Sequence, residues 1–217
     1  VGMGAELHEG EVSSRAEEQE STGLVRCGGE GTRLRPAVGD TETPLVEFDG
    51  EPMIDRVVAA LQASSLTTVA AGVSPATPET AAHLTEIDGV DCIETAGDGY
   101  VADLNEAVGR LTTPVGTVAA DLPLVVADHV DRAAATAGEE SLTVCVPVSL
   151  TTALGVSAET TTEHDGTTVV PTGLNVVGSE DGQTAVWEDS RLAFNVNRPG
   201  DIDAVERWVD RRDRTDR

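Results

Sequence analysis

Short apolar runs alternate with amphipathic stretches along most of the chain. Gly23–Cys27, Thr67–Val73, Val90–Glu94, Val115–Ala120 and Leu142–Pro147 are rich in Val, Ile, Leu and Ala and predict buried strands. Between them, apolar residues recur at helical spacing. Met53, Ile54, Val57, Val58 and Leu61 mark a helix with Pro52 as its first residue, after a turn at Asp49-Gly50. Thr77 caps a second helix that starts at Pro78 and runs to about Ile87. Further helices are predicted from Tyr100 through Leu111, over Val126–Ala137, and at the C-terminus, where Asp201, Val205, Trp208 and Val209 lie at helical spacing. The Thr-rich stretch 150–165 reads as loop. Thr167–Val170 and Gly173–Val177 read as short strands separated by Pro171, and Leu192–Val196 as a last strand. Residues 1–20 read as a disordered acidic tail or an upstream extension, and 21–217 as one domain. Strands alternating with helices argue for an α/β fold with a mostly parallel central sheet, whose ligands sit at the carboxyl ends of the strands.

Composition narrows the function classes. The formal net charge is −25, and all 14 basic residues are Arg. Such an acidic coat argues against nucleic acid and anionic membrane partners. Abundant Asp and Glu without Lys resemble proteins of extreme halophiles. The expectation is a fold that needs molar salt, where a shortened Debye length screens self-repulsion. A melting temperature equal in low salt and in molar KCl would contradict it. Cys27, Cys92 and Cys145 show neither metal spacing nor a disulfide framework and read as small core residues. His8, His83, His129 and His164 are isolated and read as surface residues. No signal peptide or bilayer-length apolar run is visible, and a cytoplasmic protein is expected.

The chemistry concentrates after the first strand, in Cys27-Gly28-Gly29-Glu30-Gly31-Thr32-Arg33-Leu34-Arg35-Pro36, completed by Pro44-Leu45. Closely spaced glycines let backbone approach a ligand, and successive N–H groups in such a loop form an anion site. Thr32 adds a hydroxyl, and Arg33 and Arg35 add forked donors suited to phosphate. The spacing is that of neither a Walker A loop nor a dinucleotide fingerprint. Arg26 interrupts the apolar run before the loop, and nothing in the sequence accounts for a charge there.

Other candidates lie at strand ends. Asp121 follows a strand directly, where a carboxylate holds Mg²⁺ together with substrate phosphates or else caps a helix. Asn195 and Asn197, two apart, share one face of a strand end and can bind metal or nucleotide, or form a turn. Gly97-Asp98-Gly99-Tyr100 offers backbone N–H groups at a helix start, or a capped loop without ligand. Gly173 allows close ligand approach or marks a bulge.

The Gly-Gly-x-Gly-Thr-Arg run with a downstream Pro-Leu resembles the nucleotide-binding signature of nucleotidyltransferases. Three later segments, Gly97–Asn105, Pro171–Val177 and Phe194–Asn197, resemble one branch, the archaeal GTP:adenosylcobinamide-phosphate guanylyltransferases. The resemblance implies a three-layer Rossmann-like fold and transfer of GMP from GTP to adenosylcobinamide phosphate. It implies phosphate or nucleotide binding by Cys27, Gly28, Gly29, Gly31, Thr32, Arg33, Gly97, Gly99, Gly173 and Asn195. It further implies catalytic roles for Arg33 and Asp121, and Mg²⁺ on Asp121 and Asn197. Sugar-1-phosphate and molybdenum-cofactor nucleotidyltransferases are alternatives, as is a non-catalytic GTP-binding relative. One departure stands out: the family has Lys where this chain has Thr43. Thr43→Lys is therefore expected to raise turnover.

Overall fold

The computed structural model describes residues 21–29 and 31–215. The stretch 1–20 lies outside the described residues. Strand β1 (Thr22–Arg26) leads into the Gly-rich loop, which helix α1 (Arg35–Val38) and a 3-10 turn (Thr43–Leu45) close. A hairpin of β2 (Glu47–Phe48) and β3 (Glu51–Pro52) follows, turning at Asp49 and Gly50, both with positive φ. Then come α2 (Met53–Gln62), β4 (Thr68–Val73), α3 (Pro78–Leu84) and β5 (Val90–Glu94). Next are α4 (Tyr100–Val108), β6 (Val115–Ala119), α5 (Ala127–Ala137) and β7 (Glu140–Pro147). The chain continues with α6 (Val148–Leu154), β8 (Thr162–His164), β9 (Thr167–Val177) and β10 (Glu180–Val186). A second 3-10 turn (Ser190–Ala193) precedes α7 (Pro199–Thr215).

The main sheet has eight strands in the order β10-β7-β9-β6-β1-β4-β5, with β8 on the edge of β9. β1, β4, β5 and β6 pair in parallel; β9 runs antiparallel to β6, β7 and β8. Alternation along the strands builds three layers. Leu24, Ala70, Ile93 and Val115 face α4 through Ala107, Leu104 and Val108. Val25, Val69, Ala71, Val73 and Val118 face the opposite layer, with Ile54, Val57 and Leu61 of α2 and Val130 and Ala133 of α5. Burying such side chains contributes about 1.5–3 kcal/mol each. A third cluster packs Ala204 and Val205 of α7 on Leu34, Phe48, Met53 and Phe194. This is the three-layer Rossmann-like arrangement with a mostly parallel sheet. Among the described residues, no helix is long and apolar enough to cross a membrane.

Several elements differ from the sequence expectation. Pro52 is not helical: it pairs with Glu47 in the hairpin and precedes α2 in extended conformation. Stretch 150–165 contains α6 and β8; the Thr151 and Thr152 hydroxyls each bond the Val148 carbonyl at 2.9 Å, so threonines sit within a helical turn. β9 is continuous through Pro171, in the interval where its edge has passed β8 and not yet met β6. Leu192–Val196 is not a strand. Its apolar residues are buried, but Asp189 caps a 3-10 turn by accepting from the Arg191 N–H at 2.9 Å. Cys27 and Cys145 are buried as expected, whereas Cys92 is exposed. His129 is buried rather than on the surface, accepting from the Val126 N–H at 3.2 Å and meeting Asp189 at 3.0 Å.

Candidate active site

The parallel strands β1, β4, β5 and β6 end at one rim, and a cavity of about 980 Å³ opens there. Its lining includes Cys27, Gly28, Gly29, Gly31, Thr32, Arg33, Gly97, Gly99, Asp121, Gly173, Asn195 and Asn197. The fold thus gathers every residue to which the resemblance gives a binding, catalytic or metal role. Arg35 lies exposed on α1 and does not line the cavity.

The loop is held by local bonds. The Cys27 N–H donates to the Gly72 carbonyl at 2.9 Å, and the Ser74 hydroxyl donates to the Gly28 carbonyl at 3.1 Å. Burial pushes the Cys27 thiol far up, so it is an uncharged packing group. Gly31 has φ +58, and a Cβ there would lie 2.1 Å from the Thr43 hydroxyl. Only glycine fits, and Thr43 fills the space against it.

The second Gly-rich loop is occupied from within. The Asp103 carboxylate accepts from the Gly97 N–H at 2.9 Å and the Asp98 N–H at 3.2 Å. Two of the donors that made this loop a candidate anion site, the N–H groups of Gly97 and Asp98, therefore already serve a protein carboxylate. The loop instead sets the start of α4, where Tyr100 and Val101 stand exposed. Thr77 makes no cap for α3; the Glu42 carboxylate reaches across to the Glu79 and Thr80 N–H groups at 2.9 and 2.7 Å.

Gly173 sits in a bulge. Thr143 pairs with Asn175 and Cys145 with Pro171, so three residues of β9 oppose one of β7. Gly173 has φ +92, and a Cβ would lie 2.8 Å from Ala119 and 3.1 Å from the Asn195 amide. Asn195 donates to the Thr172 carbonyl at 3.1 Å and accepts from Asn197. The two amides are thus adjacent although no strand carries them. Their backbone is fixed by the Val196 N–H on the Asp121 carbonyl at 2.8 Å. Buried Asp201 adds to this, accepting from the N–H groups of Asn197 and Arg198 and from Ser157.

Asp121 precedes α5 by several residues and does not cap it; Val126 holds the N-cap position. Its Oδ1 is sealed from solvent without a hydrogen-bond partner. Burial raises its pKa to about 6, opposed chiefly by Arg26. An orphaned buried oxygen on a carboxylate residue that lines the cavity fits a hard divalent cation completed by substrate phosphates. Asn197 fits that role less well, because its Oδ1 accepts from Arg33 at 3.4 Å. Among the described residues, no cluster of three or more His, Cys, Asp or Glu could hold a metal alone.

Arg33 is engaged already. It pairs with Glu159, which also takes Arg198. The Arg198 hydrogen bond, with help from Arg33, holds the Glu159 carboxyl below its usual range. Glu159, within the stretch read as loop, and Arg26 both line the cavity and were not foreseen as site residues. Arg26 left a signal, a charge inside a buried strand. Glu159 left none.

A mostly parallel sheet with a Gly-rich phosphate-type loop after its first strand and a carboxylate after a neighbouring strand defines a nucleotidyltransferase class of site. Solved structures share the fold. One is a CMP:2-keto-3-deoxy-manno-octonic acid synthetase complexed with CTP (TM-score 0.63, 14% identity, 89% of this chain and 99% of that one). Another is the CTP:phosphocholine cytidylyltransferase of Streptococcus pneumoniae (TM-score 0.60, 14% identity, 88% and 99%). The MobA-like NTP transferase domain family matches residues 23–194, and the chain belongs to that family. It is 29% identical to the adenosylcobinamide-phosphate guanylyltransferase of Methanocaldococcus jannaschii, over 84% of this chain and 94% of that one.

Proposed function

We propose that the protein transfers GMP from GTP to adenosylcobinamide phosphate, giving adenosylcobinamide-GDP and pyrophosphate. The observation that carries this reading is the likeness to a guanylyltransferase along almost that relative's whole length. The cavity volume, at the upper end for small-molecule sites, suits a nucleotide together with the reacting end of an acceptor.

An acceptor phosphate oxygen bonds to the α-phosphorus of GTP as the bond from that phosphorus to the β-bridging oxygen breaks, and pyrophosphate leaves. The protein's part is positioning and charge neutralisation. Backbone of Gly28, Gly29 and Gly31 lies along the phosphates, with Thr32 and Arg33 at the rim. Gly173 leaves room beside Asn195 for the nucleotide. Asp121 would hold Mg²⁺, a role that Asn197, engaged with Arg33, fits less well. When bound, the cation neutralises phosphate charge and draws electron density from the reacting phosphorus.

The test is pyrophosphate release in molar KCl with Mg²⁺ and GTP, with and without adenosylcobinamide phosphate. Acceptor-dependent release is expected. Folded, GTP-binding protein that releases none with this acceptor would overturn the assignment.

A further inference from the structure

Two cations line the cavity among the described residues, Arg26 and Arg33. Arg33 is already paired with Glu159. Arg26 is in a different state. Its side chain leaves β1 on the α4 face, beside Leu24, where an apolar residue would be ordinary. One terminal nitrogen donates to the Gly173 carbonyl at 3.1 Å. The guanidinium lies 4.6 Å from the centre of the Tyr100 ring. Its Nε is buried with no hydrogen-bond partner, and no carboxylate of the described residues comes within 4.0 Å of it. A half-buried guanidinium with one sealed, unsatisfied nitrogen is costly unless something compensates it. Asp121 lies close enough to feel its charge without forming an ion pair. Among the described residues, three buried side-chain polar atoms without a hydrogen-bond partner, Arg26 Nε, Thr43 Oγ1 and Asp121 Oδ1, belong to residues lining this one cavity.

We propose that Arg26 is the fixed phosphate-binding cation of the site: held by the Gly173 carbonyl and the Tyr100 ring, it meets the phosphates of the nucleotide beside Asp121. It supplies from beneath the loop a positive charge for which this chain has no lysine. Arg26 takes this role in place rather than by rearrangement, because a guanidinium that keeps one donor on a carbonyl still presents several others to phosphate oxygens. The inference rests on the nucleotidyltransferase reading but not on the identity of the acceptor.

The test compares binding of GTP, guanosine and inorganic tripolyphosphate by the full chain, its Arg26→Met variant and its Arg26→Lys variant at one salt concentration. Arg26→Met is expected to weaken GTP and tripolyphosphate by about 10- to 100-fold, the range of a lost charged hydrogen bond. Guanosine affinity should stay the same. Arg26→Lys keeps the charge and should recover most of the loss. A parallel loss for guanosine would overturn the proposal in favour of a base contact or a structural role. Unchanged GTP and tripolyphosphate binding would also overturn it. If Arg26→Met fails to fold, Arg26→Gln against Arg26→Lys gives the same reading, with Lys expected to bind tripolyphosphate more tightly. The acceptor assay is independent. Absence of pyrophosphate release would overturn the assigned reaction, whereas the tripolyphosphate comparison alone decides the role of Arg26.

Discussion

Two arginines line the same cavity, one at the end of a strand and one on a loop, and their surroundings differ. Arg33 belongs to the recognisable Gly-Thr-Arg run, stands on a loop, and has a side chain 57% exposed. It is neutralised by Glu159, which also holds Arg198. Arg26 belongs to no motif, stands at the end of a central strand, and has a buried nitrogen without a partner. The sheet wall carries buried polar atoms without partners, Arg26 Nε and Asp121 Oδ1; the Arg33 side of the site is solvated and closed on itself through Glu159. Charge available to a ligand is thus set by what surrounds a residue, not by its place in a motif. An exposed ion pair contributes about 0–1 kcal/mol, so Arg33 is released at little cost. A half-buried cation held in place interacts more strongly with phosphate than a solvated one.

The sharpest break of this contrast falls on the sheet wall at Asp121. Asp121→Asn should lower Mg²⁺-dependent turnover by about 10²- to 10³-fold, the size of losing one electrostatic partner of a transition state. A loss under fivefold would show that Asp121 holds no catalytic cation. Stability should move the other way. The folded-state pKa lies near 6, above the ordinary 3.8, so the folded protein binds more protons between those values. Stability contributed by the protonated form is fully present below roughly pH 4 and is lost as pH rises through 6. Metal-free Asp121→Asn should therefore melt above the parent at pH 7 and match it near pH 3.5. A lower melting temperature at pH 7 would mean that Arg26 more than offsets the burial of the carboxylate.

The same contrast explains what could be read from sequence. The strands of the sheet wall, β1, β4, β5 and β6, were legible almost to the residue: β1, β4 and β6 are short apolar runs because both of their faces are covered, and Val90 and Ile93 mark β5, an edge strand with exposed Asp91, Cys92 and Glu94. The loop wall was not. β10 is polar and among the described residues pairs with β7 alone, so no alternation marks it. Apolar Leu192–Val196 has the composition of a strand, but the Asp189 cap and the bond to Asp121 fix it otherwise. α3 is capped by Glu42, far away in sequence, which local capping rules cannot anticipate. Asn195 and Asn197 were expected to share one face of a strand end; no strand is there, and a side-chain hydrogen bond brings the two amides together instead.

A smaller effect is expected on the loop wall. Glu159→Gln removes the carboxylate from Arg33 and Arg198 and leaves both guanidinium groups free for anions. GTP affinity should rise about three- to tenfold at low salt and converge with the parent in molar KCl, as screening removes an exposed interaction. Titration calorimetry at two salt concentrations reads this. A loss of affinity at low salt would show that Glu159 positions Arg33 rather than occupying it.

The smallest effect in the parent, and the one that joins the two walls, concerns Thr43. Its hydroxyl is buried, unpartnered and packed where a Cβ on Gly31 would be, so it contributes shape and no charge. If a missing lysine limits the enzyme, Thr43→Lys raises kcat/KM substantially whatever residue 26 is. If Arg26 already supplies the charge, Thr43→Lys gains less than about threefold in the parent but restores about tenfold or more in Arg26→Met. The two changes are then non-additive, as expected for groups sharing one anion. Measured kcat/KM for the four proteins closes the cycle. Additivity would mean that the two walls bind different parts of the substrate. A positive coupling would mean that a charge fixed on the strand stands in for one the loop has lost.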